Sequence, residues 1–96
     1  MELLITYDVD TTTPEGQRRL RRVAKICEGI GHRVQKSVFE VVCEPPERLR
    51  LEARLREVID SDTDSVRIYQ LDYGTFHKAE HLGAAVDAAH REAWIF

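Results

Sequence analysis

Polar and apolar residues alternate from the first positions of the chain. Leu3, Ile5, Tyr7 and Val9 fall on one side and Leu4, Thr6 and Asp8 on the other, the two-residue period of a strand with one buried face. The period then lengthens. Thr11-Thr12-Thr13-Pro14-Glu15-Gly16 reads as a turn, with Thr13 set to cap a helix and Pro14 to open it. Leu20, Val23, Ala24, Cys27 and Ile30 follow at helical spacing before Gly31. The spacing predicts a helix over 14–30, about 25 Å long, whose apolar stripe lies on a sheet and whose arginines lie on its flanks and outer side. Residues 33–43, RVQKSVFEVVC, read as one extended segment rich in β-branched and aromatic residues. Glu44-Pro45-Pro46 ends it and opens a second helix with Leu51, Leu55, Val58 and Ile59 as its buried stripe. A polar loop at 60–64 leads to a strand at 66–71. Beyond Gly74 the pattern weakens, leaving a short Ala-rich helix at 84–90 and a final short strand at 93–96 as the expected elements.

No repeat, low-complexity tract or linker interrupts this order, so residues 1–96 are expected to form a single domain. Two helices in so short a chain cover only one face of a sheet. The other face is mixed: Leu4 stands with Thr6 and Asp8, and on the second extended segment Phe39 and Val41 share a side with Gln35 and Ser37. That mixture suggests a second copy packed there through a partly polar homodimer interface.

Composition narrows the class. Of the 96 residues, 43% are hydrophobic and 32% charged, which excludes disorder, collagen and disulfide scaffolds. A domain this size buries only ~60–65% of its unfolded surface, so dimerisation would help it. No apolar run approaches the ~20 residues of a membrane span, and the N-terminal segment lacks the basic flank of a signal peptide. A cytoplasmic protein with no membrane partner is therefore expected. Cys27 and Cys43 sit inside apolar patterns without CxxC spacing and read as buried free thiols.

Charge is unevenly spread. The net charge is −3, yet residues 18–36 hold Arg18, Arg19, Arg21, Arg22, Lys25, Arg33 and Lys36 against Glu28 alone. Binding of a polyanion follows local potential rather than the total, so these seven residues are candidates for contacts to nucleic acid. The acidic partners that usually interleave on a solvated helix are nearly absent from the segment.

Three groups of residues carry a family resemblance: Tyr7-Asp8-Val9 ending a strand, Arg21-Arg22-Val23-Ala24-Lys25, and Arg33-Val34-Gln35-Lys36-Ser37-Val38-Phe39-Glu40. With Asp64-Ser65-Val66-Arg67-Ile68-Tyr69 and Glu80-His81-Leu82-Gly83-Ala84, they make the chain resemble CRISPR-associated protein two of the spacer-acquisition machinery, particularly members of systems of the I-C kind. The resemblance runs in order to about residue 84. It implies an α+β fold, ferredoxin-like βαββαβ with an extra C-terminal strand, in a homodimer with facing sheets. It also implies that 33–43 breaks into two antiparallel strands, and that the segment from about 84 to 96 docks a partner or the second protomer, with Trp94, Ile95 and Phe96 as candidates.

For chemistry, the resemblance implies that Asp8 of each protomer lies near the two-fold axis and that the pair shares one Mg2+. Two carboxylates at close range repel, so they share a proton or a cation. Magnesium suits such a pair because it accepts one or two carboxylates and keeps its waters, and it supports phosphodiester hydrolysis. Tyr7, Arg22, Arg33, Ser37 and Phe39 match the family's remaining catalytic positions. Arg22 and Arg33 suit phosphate oxygens, with Arg19 an alternative to Arg22. Ser37 suits a phosphate or Asp8, and Phe39 suits shaping the site, a stacked base or interface packing. Asp10 shares the parity of Asp8 but fits the turn better.

One motif competes. His77-Lys78-Ala79-Glu80-His81 matches the inverted zinc-protease signature, but that chemistry needs a helix and a third ligand, and Gly74 and Gly83 flank the segment. The family resemblance thus leaves two roles that do not exclude each other. One is a magnesium-dependent endonuclease on RNA or DNA. The other is a dimeric bridge between two copies of the CRISPR-associated integrase, protein one, that holds a prespacer DNA duplex. A toxin-like ribonuclease acting on messenger RNA is the alternative from a different class.

Overall fold

The computed structural model describes residues 1–84. The strand expected at 93–96 and all but the first residue of the helix expected at 84–90 fall outside them. Within them the chain runs β1 (Glu2–Asp8), α1 (Pro14–Glu28), β2 (Gly31–Gln35), β3 (Val38–Val42), α2 (Pro45–Val58) and β4 (Ser65–Leu71), followed by a single 3-10 turn, Phe76–Lys78. The sheet order is β2-β3-β1-β4 with every neighbouring pair antiparallel. This is the ferredoxin-like arrangement, with both helices on one side of the sheet.

Local chemistry sets the helix starts. Thr13 accepts a hydrogen bond from the Gly16 amide at 3.1 Å, and Pro14 opens α1 as expected. Gly16 is required there, because a Cβ would meet the Asp10 carbonyl at 1.9 Å. The Glu47 carboxylate closes the first turn of α2 by accepting from the Glu44 amide at 2.9 Å.

Period alone read 33–43 as one extended segment; it is the pair of antiparallel strands that the resemblance implied, turning at Lys36-Ser37. Arg33 pairs with Phe39 and Gln35 with Val38, with an irregularity between Arg33 and Gln35. The turn and bulge break the simple parity of the segment. Phe39 and Val41 therefore lie on the helix side, fully buried, with Phe39 opposite Ile5 and Val41 opposite Leu3 on β1. They join Leu3, Ile5 and Tyr7 of β1, Val9 just after it, Val23, Ile26 and Cys27 of α1, and Leu51, Leu55 and Val58 of α2 in one core. Both cysteines are free and buried, and burial pushes the Cys27 thiol up to about 11. None of the described helices is long and apolar enough to cross a membrane.

Candidate functional site on the two faces of β1

Asp8 is the last residue of β1, opposite Ser65 of β4. Its side chain is exposed, on the same side as the half-buried Leu4 and Thr6 and away from both helices. The alternation of a strand sends its neighbour Tyr7 the other way. Tyr7 is buried and its ring stacks on Phe39 with centroids 6.1 Å apart. Its hydroxyl donates to the Lys36 carbonyl at 3.4 Å, and burial raises the phenol above its ordinary range. The Tyr7 amide donates to the Ser37 carbonyl at 3.1 Å, tying the hairpin turn to the end of β1.

Arg33 belongs to this inner cluster. Its guanidinium lies 5.2 Å above the Phe39 ring, and Nη2 is 3.2 Å from the Glu28 carboxylate at the end of α1. Its Nε is buried and has no hydrogen-bond partner among the described residues. The fold thus gathers Tyr7, Arg33, Phe39 and the Ser37 backbone on the helix side, while Asp8 stands alone on the other. In this chain the Phe39 ring is buried, so neither a stacked base nor an interface reaches it, and it packs behind Tyr7 instead. No part of its ring is exposed, because its pairing opposite Ile5 of β1 places it on the helix side, in the core of its own chain.

The basic residues of 18–36 sort by partner. Arg19 Nε is 2.8 Å from Asp64 Oδ2, whose side chain has no exposed surface. Asp64 also accepts from the Asp10 and Asp60 amides at 3.0 and 2.9 Å. Burial pushes the Asp64 carboxyl up, but the hydrogen bonds from Arg19 and the two amides outweigh it and bring it to about 2. Arg19 is therefore a strut between α1 and the loop before β4 rather than an open phosphate ligand. Asp10 accepts from the amide and hydroxyl of Thr12 and serves the turn. Arg18 lies 3.6 Å from Glu15 in an exposed pair. Arg21, Arg22, Lys25 and Lys36 are exposed and make no ion pair with the described residues.

Two sets of cations escaped the sequence reading. Arg67 pairs with Thr6 and projects to the Asp8 side, its guanidinium 5.2 Å above Tyr69. The alternation of Val66 and Ile68, which pack on the core, already marked Arg67 as outward. Arg50 and Arg54 are exposed on α2, hidden in the sequence by the acidic balance of the chain's second half. The zinc motif is unsupported. Only Phe76–Lys78 is helical in its segment, and the described residues contain no group of three or more metal-binding side chains.

The topology and the bare carboxylate define a small ferredoxin-like domain with an acidic residue at the tip of its first strand. The chain belongs to the CRISPR associated protein Cas2 family, whose profile matches residues 1–79. It is 49% identical over 87 residues to a protein of Rhodospirillum rubrum named CRISPR-associated endoribonuclease Cas2 3, covering 88% of this chain and 92% of that one. It is 46% identical over 84 residues to the CRISPR-associated endonuclease Cas2 of Halalkalibacterium halodurans, covering 88% of each. Among solved structures it is similar to Streptococcus pyogenes Cas2 at pH 6.5, with a TM-score of 0.78 and 48% identity over 86% of this chain and all of that one.

Proposed function

We propose that the chain is a nuclease and nucleic-acid-binding bridge of CRISPR adaptation, working as a homodimer whose sheets face each other. The observation that carries this reading is Asp8, an exposed carboxylate on the sheet face that the helices leave bare. Relatives named endoribonuclease and endonuclease support hydrolysis of RNA or DNA phosphodiesters. The half-buried Leu4, Thr6 and Val38 and, at the far end of the strand, the exposed Val42 give that face the mixed character a second copy would cover.

One chain offers no complete metal site among its described residues, but two Asp8 carboxylates brought together fit a magnesium ion, which needs few protein ligands. The ion would supply charge stabilisation at the scissile phosphate. The chain's own contribution is to hold the two carboxylates on fixed strand ends and to offer Arg67 on the same face as a cation for phosphate oxygens. Arg18, Arg21, Arg22, Lys25 and Lys36 hold the nucleic-acid backbone, and two copies of the CRISPR-associated integrase flank the dimer around a prespacer duplex.

The test is cleavage of labelled RNA and duplex DNA across a magnesium titration, with Asp8→Asn protein of confirmed dimeric state alongside. Magnesium-dependent cutting that disappears in the variant supports the nuclease reading. Equal cutting by both proteins, or none by either, removes hydrolysis from the function and leaves the bridge.

A further inference from the structure

The four strands carry three tyrosine and phenylalanine side chains, Tyr7, Phe39 and Tyr69. Tyr7 and Phe39 are buried on the helix side, where no ligand reaches them, whereas Tyr69 is 40% exposed. Register fixes where it stands. β4 pairs Ser65 with Asp8, Arg67 with Thr6 and Tyr69 with Leu4, so all six side chains face away from the helices. Along β4 the order is hydroxyl, guanidinium and phenol ring in steps of about 7 Å, beginning opposite Asp8.

Arg67 and Tyr69 form one unit. The guanidinium carbon lies 5.2 Å from the centre of the Tyr69 ring, within reach of a cation–π contact. No carboxylate among the described residues pairs with Arg67. The contact thus braces the ring at the surface and leaves the cation unneutralised. β4 is also an edge strand. The residues that give this face its mixed character, Leu4, Thr6, Val38 and Val42, stand on β1 and β3, so a second copy centred there leaves Arg67 and Tyr69 at its rim.

We propose that Tyr69, braced by Arg67, is a stacking platform for an unpaired base of the nucleic-acid strand presented to Asp8. Bases stack on aromatic rings and on guanidinium planes, and a ring at the surface takes up a base only when that base is free of its pairing partner. The order along β4 suits such a strand: a phosphate at Asp8, the next at Arg67 and a base on Tyr69, in a step comparable with the repeat of an extended nucleotide chain. Recognition beside the carboxylate then depends on a base as well as on phosphates, and Tyr69 takes the stacking role that burial denies to Phe39. The inference deepens the nuclease reading and rests on it for the placement of the strand at Asp8.

The test is fluorescence of a single-stranded hexanucleotide carrying 2-aminopurine, which stacking quenches, at each position in turn. It is titrated with the protein in EDTA, so that binding is read without cutting. Wild type should quench about twofold or more at one position, and Tyr69→Leu should lose that quenching and about tenfold in affinity. Tyr69→Phe keeps the ring and should stay within about twofold of wild type, as should Tyr73→Leu, a more exposed tyrosine beyond the end of β4. A hexamer of abasic nucleotides should bind wild type and Tyr69→Leu alike. Equal quenching and affinity in wild type and Tyr69→Leu would overturn the platform. So would a Tyr69→Leu protein that no longer associates as wild type does in sedimentation, which would make Tyr69 an interface residue. An abasic strand bound by wild type as tightly as the strand with bases would overturn it without any variant. Quenching by a wild-type protein that cuts no substrate in magnesium would remove the nuclease reading and leave the platform, and cutting without quenching would do the reverse.

Discussion

The two sides of β1 are built from alternate residues of one heptapeptide, yet they obey different rules. On the helix side Leu3, Ile5 and Tyr7 are buried against Phe39, Val41 and the helices. On the other, Leu4 and Thr6 are only half-buried and Asp8 is exposed. The comparison teaches that adjacency in a motif is not adjacency in space. Tyr7 and Asp8 are neighbours in sequence and stand back to back across the sheet, so Tyr7, Arg33 and Phe39 support the strand from behind rather than surrounding the carboxylate.

The sharpest way to break this contrast is Phe39→Ala. Removing a fully buried ring opposite Ile5 should cost about 3–5 kcal/mol in denaturant unfolding, with the hairpin and β1 losing their shared packing. A loss below 1 kcal/mol would return Phe39 to the surface role expected of it. The next largest effect is predicted at Asp64. Asp64→Asn removes a charge that four donors address, Arg19, Thr63 and the Asp10 and Asp60 amides, and should cost roughly 2 kcal/mol at pH 7. The native carboxyl titrates at about 2, below its usual 3.8, so its contribution is complete above that usual value and is lost as the pH falls toward 2. Wild type and variant should therefore converge in acid; a difference that persists at pH 2 would show that the ionised carboxylate is not the cause.

Glu2 tests the same face at its other end, where the segment after β4 covers it. Its carboxylate accepts from the amides of Gly74 and of Phe76, the latter at 2.8 Å, and these bonds hold its pKa below the ordinary range. Glu2→Gln should speed hydrogen exchange at Gly74 and Phe76 on the order of tenfold, with the core amides unaffected. The smallest effect is expected at Asp8. In EDTA, Asp8→Asn should leave unfolding free energy within about 0.5 kcal/mol of wild type. A destabilisation near that of Phe39→Ala would show that Asp8 serves the fold.

Much of this was legible from period alone. The strand read over 2–9 is β1 at Glu2–Asp8, the helix read over 14–30 is α1 at Pro14–Glu28, and the strand read over 66–71 is β4 at Ser65–Leu71. Each is amphipathic with capping or turn residues that agree with its pattern. The hairpin was not legible from the residues, because neither Lys36 nor Ser37 is a strong turn former and the β-branched residues continue on both sides. The resemblance supplied it. The site was read less completely than the fold. Nothing local shows that Arg19 meets Asp64 45 positions away, or that Arg33 turns back onto Glu28 and Phe39. Charge counted along the sequence marked the α1 ridge but passed over α2, where the fold lays Arg54 beside Arg22 and Lys25.

Asp64 has one more consequence. It ties the loop that leaves Asp8 to the loop that delivers Ser65, the residue paired with Asp8 across the sheet. The two chain segments flanking the carboxylate thus move as one body, and a ligand arriving at Asp8 meets a backbone whose ordering entropy was already spent during folding.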